Sequence, residues 1–341
     1  TVDSLEACLA EQPFSPCSKV TAISMGWVPP IGEEGAPFVY ASQGYLLFCL
    51  KIEEKILPPA VVKEQHAEQV REIEEKQERP LFRDEKNRMK DELYFTLLSK
   101  AFTKSTRIYA YIDTHNKHLI IDTNSKSKAD LFFKCYNKLA SDFSAQSLEL
   151  QTPGHIMTQW LHNQRYPGGI SITEQCTLED PHDYGGVARF QRTDLLSDGV
   201  QSCLKNGSQV VSLGLNWHDQ VLFNLKDDFS ISSVKFLEGV QELAKDGITE
   251  TDEERFAANF AIMSETVAKF LKDLLPAFIE EKAVAEVAER NKKIMTQLTL
   301  PLWITQKASL QALNSFGIPC QAQYLATITD ISQWFELFQL P

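Results

Sequence analysis

An α+β fold of antiparallel meander sheets and segregated helices is predicted by three features of this 341-residue chain. Three short apolar runs, Gln209–Trp217, Gln220–Leu225 and Ile231–Leu237, follow one another across tight polar turns at His218-Asp219 and Asp227-Asp228, the pattern of a meander. A long helical region runs from about Thr251 to Gln297, with a kink expected at Pro276. Two further helical stretches meet at Pro80 and are so thinly apolar that they read as a hairpin projecting from the body. Strands that follow strands and helices that group with helices argue against a doubly wound sheet.

The elements follow in order. Ser4–Gln12 reads as a short helix. Phe38–Tyr40 and Tyr45–Ile52 read as strands around a Gln43-Gly44 turn, and Pro58-Pro59 ends that unit. Val62, His66, Val70 and Ile73 recur at helical spacing with charge between them, giving one narrow apolar stripe. Met89, Leu93 and Leu97 mark the second helix, and Pro80 interrupts because proline lacks the amide donor and clashes with the preceding turn. Arg107–Asp113 and His118–Thr123 form a predicted strand pair around Thr114–Lys117. Ser125 is placed to cap a helix over Lys126–Ala140, whose Leu131, Phe132, Cys135, Tyr136 and Leu139 share a face. From Ser147 to Phe236 strands are expected to dominate.

With 43% hydrophobic and 23% charged residues the composition is that of a soluble protein large enough for two or three domains. Apolar runs such as Gly44–Leu50 fall far short of the roughly 20 residues of a membrane helix, and no secretory signal opens the sequence. Seven widely spaced cysteines without a C-x-x-C pair read as thiols in a cytoplasmic protein, not as a disulfide framework or zinc site. The chain starts at Thr1 rather than methionine, so the natural start is expected to lie upstream. Leu298–Pro341 holds only Lys307, Asp330 and Glu336 as charged residues, unlike the rest.

Charge is distributed unevenly. Leu93–Lys138 carries eight basic residues (Lys100, Lys104, Arg107, Lys117, Lys126, Lys128, Lys134, Lys138) against Asp113, Asp122 and Asp130, a local +5. In a chain of net −12 the remainder therefore carries −17. Segregation of this size suggests one face made to meet a polyanion and others that repel it. Within it, Lys100-Ala101-Phe102-Thr103-Lys104-Ser105-Thr106-Arg107 sets cations and hydroxyls around one phenylalanine, groups that neutralise and hydrogen-bond phosphates; a solvated basic turn is the plainer reading of the same residues.

Enzymatic signatures are missing from the sequence. It contains no G-x-x-x-x-G-K-[ST], G-x-G-x-x-G, H-E-x-x-H or G-x-S-x-G motif. His115-Asn116-Lys117-His118 reads as a polar hairpin tip, and Glu179-Asp180-Pro181-His182-Asp183 as a solvated loop, since a two-metal nuclease needs carboxylates converging from several strands. Asp113 and Asp122, on adjacent predicted strands, are a further candidate pair but lack a third ligand. No metal or other cofactor is expected.

Nine short motifs resemble one family in order and spacing. They are Met25-Gly26-Trp27-Val28-Pro29-Pro30, Glu53-Glu54-Lys55-Ile56-Leu57-Pro58, Lys90-Asp91-Glu92, Leu97-Leu98, Ala101-Phe102, Ile112-Asp113-Thr114, Gly185-Gly186-Val187 with Arg189, Leu215 with Trp217, and Val234-Lys235-Phe236. Together, from about Ser4 to about Ala277, the chain looks like RdgC, the bacterial recombination-associated family. The resemblance implies a ring-shaped dimer that encloses duplex DNA without sequence preference and restrains RecA-promoted strand exchange, in a cytoplasmic, nucleoid-associated setting. It implies that the helical hairpin is a finger whose DNA-touching basic residue falls on Arg79. One subunit contact falls on Phe102 and the other on Arg192 and Thr193, where the family more usually has lysine and glutamine. With the basic segment, the expected DNA-binding set is Arg79, Lys100, Lys104, Arg107 and Lys117. The expected partners are double-stranded DNA, with single strands as a further ligand, a second copy of the chain, and the RecA filament directly or through shared DNA.

Ser99 stands where the family has a proline, and Asn216 where it has an aspartate. The family begins with a further apolar strand ahead of Thr1, so this chain reads as a fragment with a sheet edge left unpaired. The organisation expected is a body part over 1–58 lacking that strand, a helical finger over 59–102, a strand pair with a helix over 103–150, a second α+β region over 151–285 and an extension over 286–341. The competing expectations are a metal-dependent nuclease using Asp113, Asp122 or the Glu179–Asp183 cluster, and a module that docks on another protein through the hairpin.

Overall fold

The computed structural model describes residues 1–32, 35–123, 125–139, 143, 145–147, 152–181, 185–245, 251–278 and 322–324. These residues form an α+β structure with two sheets, as the sequence predicts. The chain divides into two compact units, one of residues 1–40 and 48–109, the other of residues 41–47 and 110–341.

In the first unit α1 (Val2–Ala10) starts where the Thr1 hydroxyl accepts the Ser4 amide at 3.2 Å, and it buries Leu5 and Leu9 one turn apart. Its Glu6 carboxylate accepts the amides of Phe38 and Val39 at 2.8 and 2.7 Å, tying the helix to the segment before β2 (Tyr40–Ser42). Strand β1 (Ile23–Val28) pairs antiparallel with β3 (Tyr45–Ile56), Trp27 opposite Leu50. The sequence reading missed β1, because Gly26 interrupts its alternation and Pro29-Pro30 follows. The glycine is required: a Cβ there would collide with the backbone of Phe14, whose amide donates to the Trp27 carbonyl at 2.9 Å. Buried Glu53 on β3 accepts the Cys17 amide at 2.7 Å, which satisfies a carboxylate that burial alone would disfavour.

The predicted helical pair is α2 (Pro59–Gln77) and α3 (Arg83–Lys100), joined by Glu78–Phe82. It buries little: Val62 and Val70 on one helix, Leu93 and Leu98 on the other, with Leu81 in the turn. A bond of 2.8 Å between the His66 ring and the Lys86 carbonyl adds a polar link. β4 (Phe102–Asp113) follows at once.

In the second unit β4 turns into β5 (His118–Ile121), Asp113 opposite His118, as predicted. The full first sheet runs β1-β3-β4-β5-β12-β6, with β2 on β3; β12 (Ala322–Tyr324) lies parallel between β5 and β6 (Ala145–Ser147). Helix α4 (Lys126–Tyr136) ends four residues before the predicted Ala140, and the Ser125 hydroxyl meets Ser127 instead of capping the helix. The second sheet runs β11-β10-β9-β7-β8, all antiparallel, and contains the expected meander as β9 (Gln209–Trp217), β10 (Val221–Lys226) and β11 (Ile231–Phe236). β7 (Ile170–Glu179) and β8 (Val187–Gln191) complete it. Two helices, α5 (Pro153–Asn163) and α6 (Asp198–Lys205), lie in the stretch where strands were expected to dominate. α5 begins on Pro153, which fits a first helical turn because its missing amide would have no partner there.

Short α7 (Glu238–Lys245) leads to α8 (Asp252–Leu274), which starts where predicted, with the Thr251 hydroxyl accepting the Glu254 amide at 3.2 Å. The predicted break at Pro276 is a 3-10 turn over Leu275–Phe278; the remainder of the predicted helix to Gln297 lies outside the described residues. At 23 residues α8 spans about 34 Å, enough to touch both sheets. Near its start Phe260 meets Tyr111 of β4 and Tyr45 of β3 edge-on, at 5.7 and 6.4 Å between ring centres. Near its end Phe270 meets Phe223 of β10 and Trp217 of β9 at 4.6 and 5.9 Å, and the Trp217 indole donates to Asp273 at 3.0 Å. Phe278 then packs between Phe229 and Trp160. Phe270→Ala is expected to destabilise the fold by about 3–5 kcal/mol; urea unfolding followed by tryptophan fluorescence checks it, with the exposed Phe95→Ala as a control that shifts the midpoint little.

Candidate nucleic-acid interface

Alternation along β4 decides what the basic segment can present. Successive side chains of a strand point to opposite faces, so Phe102, Lys104 and Thr106 lie on one face and Thr103, Ser105 and Arg107 on the other. The strand is exposed from Phe102 to Ser105 and buried from Ala110 to Asp113, so one element has a solvent end and a core end. Phe102 is 85% exposed at the start of the open end, an unusual position for a large aromatic side chain. Lys100 closes α3 two residues earlier. Among the described residues neither Lys100 nor Lys104 makes an ion pair. The structure thus gathers Lys100, Phe102 and Lys104 at one helix-to-strand junction.

Arg107 is not part of that cluster. On the opposite face, the Tyr109 hydroxyl beside it raises its pKa further and engages part of its guanidinium. Ser105 on the same face donates to Glu53 at 3.4 Å. Contiguity in sequence had grouped all these cations, and the two-residue period of a strand divides them.

Arg79 lies in the turn joining α2 and α3, the whole length of α3 away from Lys100; 18 helical residues span about 27 Å. It is exposed but already engaged: Nη2 donates to Glu85 Oε1 at 2.8 Å and Nη1 to Oε2 at 3.1 Å, and the guanidinium stands 5.8 Å from the centre of the Phe82 ring. Glu85 Oε2 also accepts the Phe82 amide at 2.8 Å, which anchors the start of α3. The hydrogen bonds from Arg79 and then from that amide bring the Glu85 pKa down to about 2. A similar arrangement surrounds Glu74, which accepts the Leu81 amide at 2.8 Å and pairs with Lys86 at 2.9 Å; its pKa is lowered, first by Lys86. These two carboxylates carried no signal in the sequence reading beyond their place among many others.

Lys117 is exposed with φ of 57° in the β4–β5 turn of the second unit. Asp113 builds that turn. Its buried carboxylate accepts the amides of His115 and Asn116 at 2.9 and 3.0 Å and the Asn116 side chain at 2.6 Å. Thr114 in turn reaches the Gly44 carbonyl through its amide at 3.1 Å and its hydroxyl at 2.6 Å. Gly44 itself, at φ of 87°, leaves no room for a Cβ beside the His115 ring. The strand register sets Asp113 against His118 and Ala110 against Ile121, so Asp122 belongs to the other end of the pair and the two aspartates do not converge. Part of the Glu179–Asp183 cluster lies outside the described residues; among the described ones no three His, Cys, Asp or Glu side chains form a metal-holding group. Arg192 follows β8, exposed, with φ of 54°, and the Thr193 hydroxyl donates to the Gln191 carbonyl at 3.1 Å. No helix among the described residues is long and apolar enough to cross a membrane.

The chain matches the family model described as "Putative exonuclease, RdgC" over residues 1–281. It is 36% identical over 282 residues to a protein of Tolumonas auensis named recombination-associated protein RdgC, covering 82% of this chain and 93% of that one. Proteins of the same name from Aeromonas hydrophila and Halorhodospira halophila are 34 and 33% identical over 278 and 284 residues, with 92 and 93% of their lengths covered.

The Glu85 contacts have a pH consequence. Its folded pKa of about 2 lies below the ordinary 4.5, so the order it confers on the turn is fully present above about 4.5 and lost as pH falls toward 2. Hydrogen exchange at the Phe82 amide is expected to lose protection across that window, and Glu85→Gln is expected to abolish the pH dependence.

Proposed function

The chain belongs to the RdgC family, and we propose that it is a non-enzymatic protein that binds double-stranded DNA without sequence preference, as a dimer encircling the duplex, and thereby restrains RecA-dependent recombination. The observation that carries this reading is the junction at Lys100, Phe102 and Lys104: two cations without a carboxylate partner among the described residues, flanking an aromatic side chain that is largely exposed. Unpaired ammonium groups neutralise phosphates and release counterions, which gives affinity with no reading of base edges. The exposed ring supplies the apolar anchor of a subunit contact, and a duplex is too wide for one chain of this size to surround, so a symmetric pair is the economical closure. An acidic remainder keeps the outer surface away from the polyanion.

The other proposed contacts follow the family resemblance for Arg79, Arg192 and Thr193 and the basic segment for Arg107 and Lys117. Arg79 carries the finger contact, with Arg107 and Lys117 as further phosphate ligands, and Arg192 with Thr193 forms the second subunit contact. Occupying duplex competes with a recombinase filament for the same phosphates, so regulation requires no active site. Such a protein acts at the nucleoid in the cytoplasm. The family description favours one other reading, an exonuclease. Against it, Asp113, the buried carboxylate of the predicted pair, is consumed by its own turn.

Fluorescence anisotropy of a labelled 40-base-pair duplex in EDTA is the test. Binding is expected to weaken with salt at a log–log slope of about −0.9 per phosphate neutralised, and Lys100→Glu with Lys104→Glu is expected to reduce it at least tenfold at low salt. A chain that ignores duplex at low salt, or one that shortens the duplex when magnesium replaces EDTA, overturns the reading. Phe102→Asp is expected to shift the sedimentation profile from dimer to monomer.

A further inference from the structure

The turn between α2 and α3 contains more positive charge than it can offer. Of its cations, Arg79 and Lys86 are each held by a carboxylate, Glu85 and Glu74, and each of those carboxylates is also fixed to a backbone amide of the turn. Arg83 and Arg88, nearby, make no ion pair among the described residues. The Arg79–Glu85 contact is two-pronged, each guanidinium nitrogen on its own oxygen, which is the same geometry an arginine uses for a phosphate. With the Nη1/Nη2 edge filled, a phosphodiester takes that edge only by displacing Glu85, and the adjacent carboxylate repels a phosphate that approaches the rest of the guanidinium.

We propose that Glu85 is a latch on Arg79: this arginine takes a phosphate on its fork only by exchanging the Glu85 carboxylate for phosphate oxygens, so that Glu85 sets how strongly, and with what salt response, Arg79 contributes to DNA binding. This rests on the reading of Arg79 as a DNA contact. The backbone tie is what makes the contact a latch and not a mobile pair. Because Oε2 holds the Phe82 amide, Glu85 stays at the start of α3 while Arg79 swings away, and the released carboxylate keeps one of its bonds. The aromatic face of Phe82, which is 73% exposed, gives the released guanidinium a surface beside the turn. Exchange also changes the ionic bookkeeping. A free arginine that meets DNA releases condensed counterions, whereas a latched one trades one anion for another. The latched Arg79 therefore adds little to the salt slope, and an unlatched one adds a full contact.

The test compares the unmodified full chain with Glu85→Gln, Arg79→Ala and the double variant on the labelled duplex across a range of salt. Glutamine keeps an acceptor for the Phe82 amide, so the helix start is retained. Glu85→Gln is expected to bind about threefold tighter at low salt, the scale of releasing one exposed ion pair, and to steepen the log–log slope by about 0.9. Both changes are expected to vanish when Arg79 is alanine. An equal gain with and without Arg79 overturns the latch, because it makes Glu85 merely a repelling charge near the DNA. So does an unchanged affinity in Glu85→Gln alongside weakened binding in Arg79→Ala. If Arg79→Ala binds like the unmodified chain, the finger contact itself is overturned and the latch with it, while duplex binding through the Lys100–Lys104 junction stands.

Discussion

The second unit depends on α8 having aromatic side chains toward both of its ends. Phe260 is set against Tyr45 and Tyr111, and Phe270, ten residues later, against Phe223 and Trp217. Ten residues carry the helix about 15 Å along its axis and about 2.8 turns round it, so the two rings leave it in directions about 80° apart. Each edge-on pair adds about 0.5–1.5 kcal/mol beyond the burial of the rings themselves. The strands that supply Tyr45 and Tyr111 are β3 and β4, and β4 is the strand whose other end carries Phe102 and Lys104. Packing on α8 thus fixes the core end of the strand whose open end carries the proposed function.

That strand explains why so polar a segment can be ordered at all. At its core end four residues, Ala110 to Asp113, are buried and hold the register against β5, and Tyr111 among them packs on Phe260 of α8. The exposed end then needs no core of its own. Asp113 contributes at the hinge between β4 and its turn, where its carboxylate is satisfied three times over and the turn is closed onto Gly44. A carboxylate so used is a structural part, which is why two aspartates on neighbouring strands, suggestive in the sequence, lead to no chemistry here.

Much of this architecture is legible from the residues. The meander β9 to β11 is marked by alternation and by polar turns, the start of α8 by Thr251, and the helical pair by its narrow stripe and Pro80. What escaped has definite causes. β1 is hidden because Gly26, demanded by the approach of Phe14, looks like a turn residue in one dimension. α5 and α6 are short, and their helical character comes from packing more than from a sustained period: α5 buries Ile156, Met157, Trp160 and Leu161 beside β9. At the candidate site the sequence draws attention to Lys100, Lys104 and Arg107 as one segment, but not to how the fold groups them. Sequence places Lys104 and Arg107 three residues apart; a helix would join them on one face and a strand separates them. The pairing of Arg79 with Glu85 escaped because a hairpin dense in glutamates offers many partners, and only the geometry of the turn selects one.

The cations therefore fall into two kinds, and the difference bears on what a sequence-independent binder must do. Lys100 and Lys104 stand open at the strand junction, whereas Arg79 and Lys86 are closed at the hairpin tip by carboxylates that also hold the turn. A protein that grips DNA by phosphates alone has no base contacts to limit where it stops, so every open cation strengthens binding everywhere alike. On the proposed reading, a chain with all of them open would be held on any duplex it met. Keeping one pair open and one closed gives a contact that forms readily and a second that costs an exchange. The acidic balance of the rest of the chain works in the same direction, and the placement of Glu85 brings that balance to a single side chain.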